Sequence, residues 1–197
     1  MSIERSKCKR FIKMSQKGLT DKVLKDYPKA TGDQSRYKSP AVDELFDVTD
    51  KPGTSVLSKE KKSEFLSVLM TLMYLARLTR PDILMPVTFL ASRTHCATSK
   101  DWTHLLHIVR YLENTQTFGV YINCTSLQIR CTCDASFAVH SPDMNCKGHT
   151  GFTVGMGEEM SYLHCRSGKQ KTASTSSTDA EIIALCEALK MCTRLSN

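Results

Sequence analysis

Residues 127–136 read LQIRCTCDAS. Leu127, Ile129, Cys131 and Cys133 alternate with Gln128, Arg130, Thr132 and Asp134. Successive side chains on a strand point to opposite faces, so this period of two predicts a half-buried strand with Asp134 at its end on the polar face. Just upstream, Val120 and Ile122 alternate with Tyr121 and Asn123 in the same way. Downstream, residues 149–156 (HTGFTVGM) and 160–165 (MSYLHC) read as two more strands joined by the turn Gly157-Glu158-Glu159. Gly151 and Gly155 weaken the first of these, because glycine in a strand interior has no side chain to pack. A final helix starts near Thr178 and carries Ile182, Leu185, Leu189 and Cys192 on its apolar positions. The order strand, hairpin, helix makes the last third an α/β unit.

The period changes upstream. Residues 8–15 (CKRFIKMS) predict a short strand, and residues 16–27 a short amphipathic helix stopped by Pro28. Residues 29–62 are polar and rich in Lys, Asp, Ser, Pro and Gly, as expected of a loop or linker. Three helical patterns follow. Phe65, Val68, Leu69, Leu72 and Met73 form the first. Ile83, Val87, Leu90 and Ala91 form a second that Pro81 suits at its first turn and Pro86 disturbs. The third has Ser99 as the expected cap, Asp101 in the first turn, and a face of Trp102, Leu105, Leu106, Val109 and Leu112.

The chain of 197 residues carries 27 Lys+Arg against 20 Asp+Glu, a net charge of +7. A modest basic excess favours polyanionic partners without identifying one. No apolar run is long enough to span a bilayer and the N-terminus has no apolar signal core, so no membrane partner is expected. Nine irregularly spaced cysteines then read as reduced thiols of a cytoplasmic or nuclear protein. His104 and His107 stand one helical turn apart near His95 and Cys96. Without paired ligands, that spacing reads as a helix face rather than a zinc site.

Two carboxylates carry the chemistry. Asp134 closes a strand and Glu181 lies in the first turn of the last helix, an arrangement in which the two can meet and hold a divalent cation through oxygen. Each has a plainer reading. Thr178-Asp179-Ala180-Glu181 fits a capping box, and a strand-end aspartate often makes a local turn.

Several segments, in order, favour the metal reading through family resemblance. LMYLARLTRPDI (72–83), and Trp102 with IVRYLENT (108–115), resemble elements that follow the polymerase in copia-type retrotransposon Pol polyproteins. CDASFAVH (133–140) resembles the first ribonuclease H strand of that family, whose catalytic aspartate maps onto Asp134. GKQKTASTSSTDAEIIAL (168–185) is similar to the family's K-K-Q-K-T…S-S-T-E-A-E-Y-I-A-L motif, whose catalytic glutamate maps onto Glu181. FIKMSQKGLTDKVLKDY (11–27) is similar to the reverse transcriptase segment after the palm. Ile182 stands where the family commonly has tyrosine, with no consequence for the chemistry.

The resemblance implies residues 1–62 as the end of a reverse transcriptase region with a linker, 63–116 as a helical connection, and 117–197 as a truncated ribonuclease H-like domain. The implied fold is a mixed sheet with one helix, preceded by mainly helical chain. An intact domain of this kind hydrolyses the RNA strand of an RNA–DNA hybrid with Mg²⁺ or Mn²⁺, here with Asp134 and Glu181 as catalytic residues and metal ligands. Lys169, Gln170, Lys171, Ser176 and Ser177 would contact the hybrid's backbone, by position rather than by base sequence. The family's next aspartate lies on the strand after this helix, past Asn197. The expectation is therefore an incomplete site that does not cut by itself, with an open sheet edge that favours self-association. The alternative is a non-catalytic nucleic-acid-binding or interaction module left by a decayed retroelement.

Overall fold

The computed structural model describes residues 1–7, 10–27, 37–47, 55–123, 125–139 and 147–196. Two compact units emerge: Met1–Ser2 with Ser15–Gly119, and Ile3–Met14 with Val120–Asn197.

The first unit is helical. Its elements are α1 (Lys17–Asp26), α2 (Lys59–Leu78), α3 (Leu84–Ser92) and α4 (Ser99–Asn114). Residues expected on helical faces form much of its core: Leu69, Leu72, Val87, Leu90, Leu105, Val109 and Leu112 are fully buried, and Leu75 joins them. Helix α2 begins inside the stretch read as linker, because Ser58 caps it by accepting from the Lys61 amide. Pro81 starts a 3₁₀ turn, Pro81–Ile83, and α3 begins only at Leu84. Pro86 then falls in the first turn of α3, where its missing N–H has no intrahelical partner to lose.

The cap of α4 differs from the expectation. Thr98, not Ser99, is the N-cap; its Oγ1 accepts from the Asp101 amide, and Asp101 accepts from the Thr98 amide at 2.8 Å. The box T-x-x-D was legible one residue earlier than it was placed. Asp101 is also paired with Arg93 at 2.8 Å. Across the same unit, Arg80 is buried and donates to Asp82, to the Thr115 carbonyl and to Thr115 Oγ1, while Tyr111 OH donates to Asp82. Its Nε and both terminal nitrogens are thereby engaged, with the Tyr111 and Phe118 rings 5.6 and 5.5 Å away. Of the histidines considered for zinc, His107 Nε2 lies 2.9 Å from the Ser39 carbonyl. Burial, with Lys100 second, holds His104 below its ordinary pKa. Among the described residues, no three His, Cys, Asp or Glu stand together as a metal site.

The second unit contains the expected α/β region together with a segment from the N-terminus. Strands β1 (Ser2–Arg5), β2 (Ile12–Ser15) and β3 (Val120–Ile122) make one sheet in that order. The antiparallel pairing of β2 with β3 (Met14 opposite Val120) joins chain segments the sequence reading kept apart. Strands β4 (Ile129–Ser136), β5 (His149–Met156) and β6 (Ser161–Lys169) make the second sheet, followed by α5 (Ser177–Ser196). This sheet is antiparallel throughout its described strands, not mixed. Its hydrogen-bonded neighbours are consecutive in the chain, the order in which antiparallel pairing is usual. Gly155 has a purpose here. The β5–β6 register shifts at Val154/Gly155, and a Cβ on Gly155 would fall 2.6 Å from the Met160 carbonyl oxygen.

Helix α5 lies on β4 and β5 through Ala180, Ala184 and Ala188, all fully buried. Three alanines at i, i+4 and i+8 form a flat strip that lets backbones approach closely. Phe152, Val154 and Ala188 form the centre, with Ile129, Cys131, Cys133, Met191 and Cys192 packed around them. Burial, with Cys192 second, pushes the Cys131 thiol up to about 11, so it serves as a small apolar group. The described cysteines are all free thiols. No helix among the described residues is long and apolar enough to cross a membrane.

Two outcomes follow. Ala184→Leu inserts bulk between α5 and the sheet and should cost about 1–3 kcal/mol in urea unfolding, because the interface has no room for it. His149 is buried, with Nε2 2.6 Å from Ser167 Oγ, and burial lowers its pKa to about 4. The unfolded chain would bind a proton between its ordinary value, about 6.5, and 4, where the folded one excludes it. His149 therefore contributes stability above that window that is lost as pH falls through it, by at most about 1.4 kcal/mol per pH unit. Thermal melts of wild type and His149→Gln between pH 7 and 4 should converge on acidification. A constant gap between the two would refute the assignment.

Candidate active site

Asp134 sits two residues before the end of β4, in register opposite Gly151. The strand alternates as expected: Arg130, Thr132, Asp134 and Ser136 are exposed, while Cys131 and Cys133 pack toward α5. Glu181 is also exposed, in the first turns of α5. Its Oε1 accepts from the Ala135 amide at 3.2 Å. A carboxylate 46 residues away in sequence is thus delivered to the backbone immediately beside Asp134. The contact falls on the strand's main chain.

That contact removes the plainer reading of Glu181. The cap of α5 is made elsewhere: Ser176 Oγ accepts from the Asp179 amide at 3.1 Å, and Asp179 Oδ2 accepts from the Thr175 amide at 2.9 Å. The box begins two residues before Thr178, which leaves the Glu181 carboxylate unused by the helix terminus. Residues 176–181 contain two overlapping cap patterns, Ser176 with Asp179 and Thr178 with Glu181, and sequence spacing alone does not choose between them.

The five residues expected to contact a polyanion separate into different roles. Lys171 and Ser177 are exposed. Lys169 ends β6, opposite His149 in the ladder, and burial, with Lys147 second, holds its ammonium below the ordinary value. Ser176 caps α5. Gln170 is a correction: it is only 2% exposed, and its Nε2 donates to Thr150 Oγ1 at 3.1 Å and to the Ala180 carbonyl at 2.9 Å. An amide committed inside the fold is not presented to a ligand. Gly148 makes room for it, since a Cβ there would fall 2.7 Å from Gln170 Oε1. Gln170 instead ties the end of the hairpin to the residue before Glu181, and so sets where the glutamate stands. Flanked by two lysines, it had no local signal of burial.

Oxygen ligands from Asp134 and Glu181 suit a hard cation such as Mg²⁺, which retains several waters. Two carboxylates are fewer than a two-ion site requires.

Gln170→Leu should lower stability by about 1–2 kcal/mol, since it strands the Ala180 carbonyl and Thr150 hydroxyl without their donor. Any affinity for a labelled RNA–DNA hybrid should be the same as that of the wild type, as measured by fluorescence anisotropy. A large loss of affinity in a stably folded variant would return Gln170 to the contact surface.

No family model matches the chain. No solved structure matches it significantly. Curated relatives do. An uncharacterized mitochondrial protein of Arabidopsis thaliana is 34% identical over 124 residues, 62% of this chain and 50% of that protein. Secreted RxLR effector protein 161 of Plasmopara viticola is 30% identical over 129 residues, 65% of this chain and 88% of that protein. The retrovirus-related Pol polyprotein from transposon RE2 of Arabidopsis thaliana is 31% identical over 120 residues, 60% of this chain but 8% of the polyprotein. The chain thus spans half the mitochondrial protein and a small part of the polyprotein. The chain covers most of the effector protein and belongs to one family with it, and over 120 residues it is similar to a retrovirus-related transposon Pol polyprotein.

Proposed function

We propose that residues 120–196 are a ribonuclease H-like segment of a copia-type retroelement, contributing Asp134 and Glu181 to a hybrid-cleaving site. The observation that supports this reading is the bond from the Ala135 amide to Glu181, which joins the two segments carrying the family's acidic motifs. In this reading Asp134 and Glu181 share a divalent cation, Mg²⁺ or Mn²⁺, which when bound supplies an activated water and charge neutralisation at the phosphate. The Ala135 amide fixes one Glu181 oxygen and leaves the other for the ligand. Gln170 and the alanine strip hold the helix that carries it. Lys171 and Ser177, exposed just before and at the start of that helix, position the phosphate backbone without reading bases.

Two carboxylates hold one cation loosely, so this chain binds nucleic acid but does not cut it. Incubation of the 197-residue chain with an RNA–DNA hybrid in Mg²⁺ or Mn²⁺ should give no measurable cleavage. A fusion that adds a strand with a further aspartate, as the resembling family has, should cleave. Asp134→Asn in that fusion should abolish the activity, because the amide keeps the shape and loses the charge that holds the ion. Robust cleavage by the chain alone, lost in Asp134→Asn, would overturn the incomplete-site reading. An inactive fusion would favour a non-catalytic binding module from a decayed element. Binding to hybrid should weaken steeply with salt, since phosphate contacts release counterions.

A further inference from the structure

Away from Asp134, a groove of about 770 Å³ runs between α5 and the β5–β6 side of the sheet. Arg166, Lys171, Lys190 and Arg194 line it against one carboxylate, Glu187. Glu187 is already 3.6 Å from Arg166. Lys171, Lys190 and Arg194 have no ion-pair or hydrogen-bond partner among the described residues. The apolar lining is chiefly aliphatic, from Ile182, Ile183 and Met191. Of its two rings, Phe152 at the base is 5% exposed, and the half-buried imidazole of His164 lies 6.0 Å from it, so the groove has no broad aromatic platform. Beside the groove, the outer face of α5 continues the apolar surface. Ile182 and Leu189 are each 54% exposed and Leu185 48%, at the i, i+3, i+7 spacing of one helical stripe.

We propose that this groove and stripe take an acidic amphipathic helix from a partner protein, its aliphatic face on Ile182, Leu185 and Leu189 and its carboxylates toward Lys171, Lys190 and Arg194. The chemistry selects this occupant over two others. A single strand of nucleic acid would use the cations but gains most from aromatic platforms, and apart from the half-buried His164 the accessible apolar walls are aliphatic. A second copy of α5 would bring a second Lys190 and Arg194 to a groove already dominated by cations, and like charges brought together disfavour association. An acidic helix supplies both the missing charge and the matching apolar stripe, the helix-in-groove mode of recognition.

The probe is a fluorescein-labelled helical peptide with leucines at i, i+3, i+4 and i+7 and glutamates on its flanks. It is measured by anisotropy on the full chain beside the same peptide with lysine for glutamate and a labelled dT20 oligonucleotide. The acidic peptide should bind, with affinity falling as salt rises. K190E/R194E should weaken it at least tenfold and gain affinity for the lysine peptide, an exchange that mere loss of fold does not produce. Ile182→Glu should also weaken it, and Arg130→Glu, on the exposed register of β4, should not. Binding of dT20 that K190E/R194E abolishes, with no binding of the acidic peptide, would make the groove a nucleic-acid site and overturn the proposal. Peptide binding indifferent to K190E/R194E would overturn it as well, as would the absence of peptide binding. Hybrid cleavage by the fusion reads Asp134 and Glu181 independently, so failure here leaves that reading standing.

Discussion

The close approach of α5 to the sheet is the constraint on which the candidate site rests. Ala180, Ala184 and Ala188 turn only methyl groups toward the strands along this strip of the helix. Glutamate is long but finite, so Glu181 reaches the Ala135 amide only because the helix axis lies near the sheet. Larger residues on that strip would move the carboxylate outward before they altered any group at the site. Gln170 adds the longitudinal restraint, bonding the Ala180 carbonyl from the end of the hairpin. Packing therefore sets the distance of the glutamate from the strand, and one buried amide sets its height along it.

Strong periodicity made much of the fold legible. The alternation in 127–136 identified β4 and its two faces, and the helical stripes of α2 and α4 became the core of the helical unit. Cooperative contacts at a distance were hidden. Nothing in residues 8–15 announces pairing with 120–122, because strand partners carry no complementary code at that length. The helix starts were displaced by one or two residues wherever Ser and Thr cluster, as at Thr98 and Ser176, since several hydroxyls compete to cap. At the site, Asp134 and Glu181 were found through ordered motifs. Gln170 was misread because its surroundings in sequence are basic and polar while its surroundings in space are not.

The pairing of β2 with β3 has a consequence for assembly. Met14 lies opposite Val120, so the two ends of the Ser15–Gly119 stretch emerge from neighbouring strands. The helical unit is thus an insertion into the other unit's chain, attached by both ends. Closing a flexible loop of roughly a hundred residues carries an entropy cost that grows as the logarithm of its length. Helical contacts are local and form quickly, so a helical insertion that folds first turns that loop into a short span. During synthesis, β2 emerges early and waits for β3, and the intervening helices are the part able to organise in between. Mutations that slow the helices should then delay formation of the β2–β3 pairing.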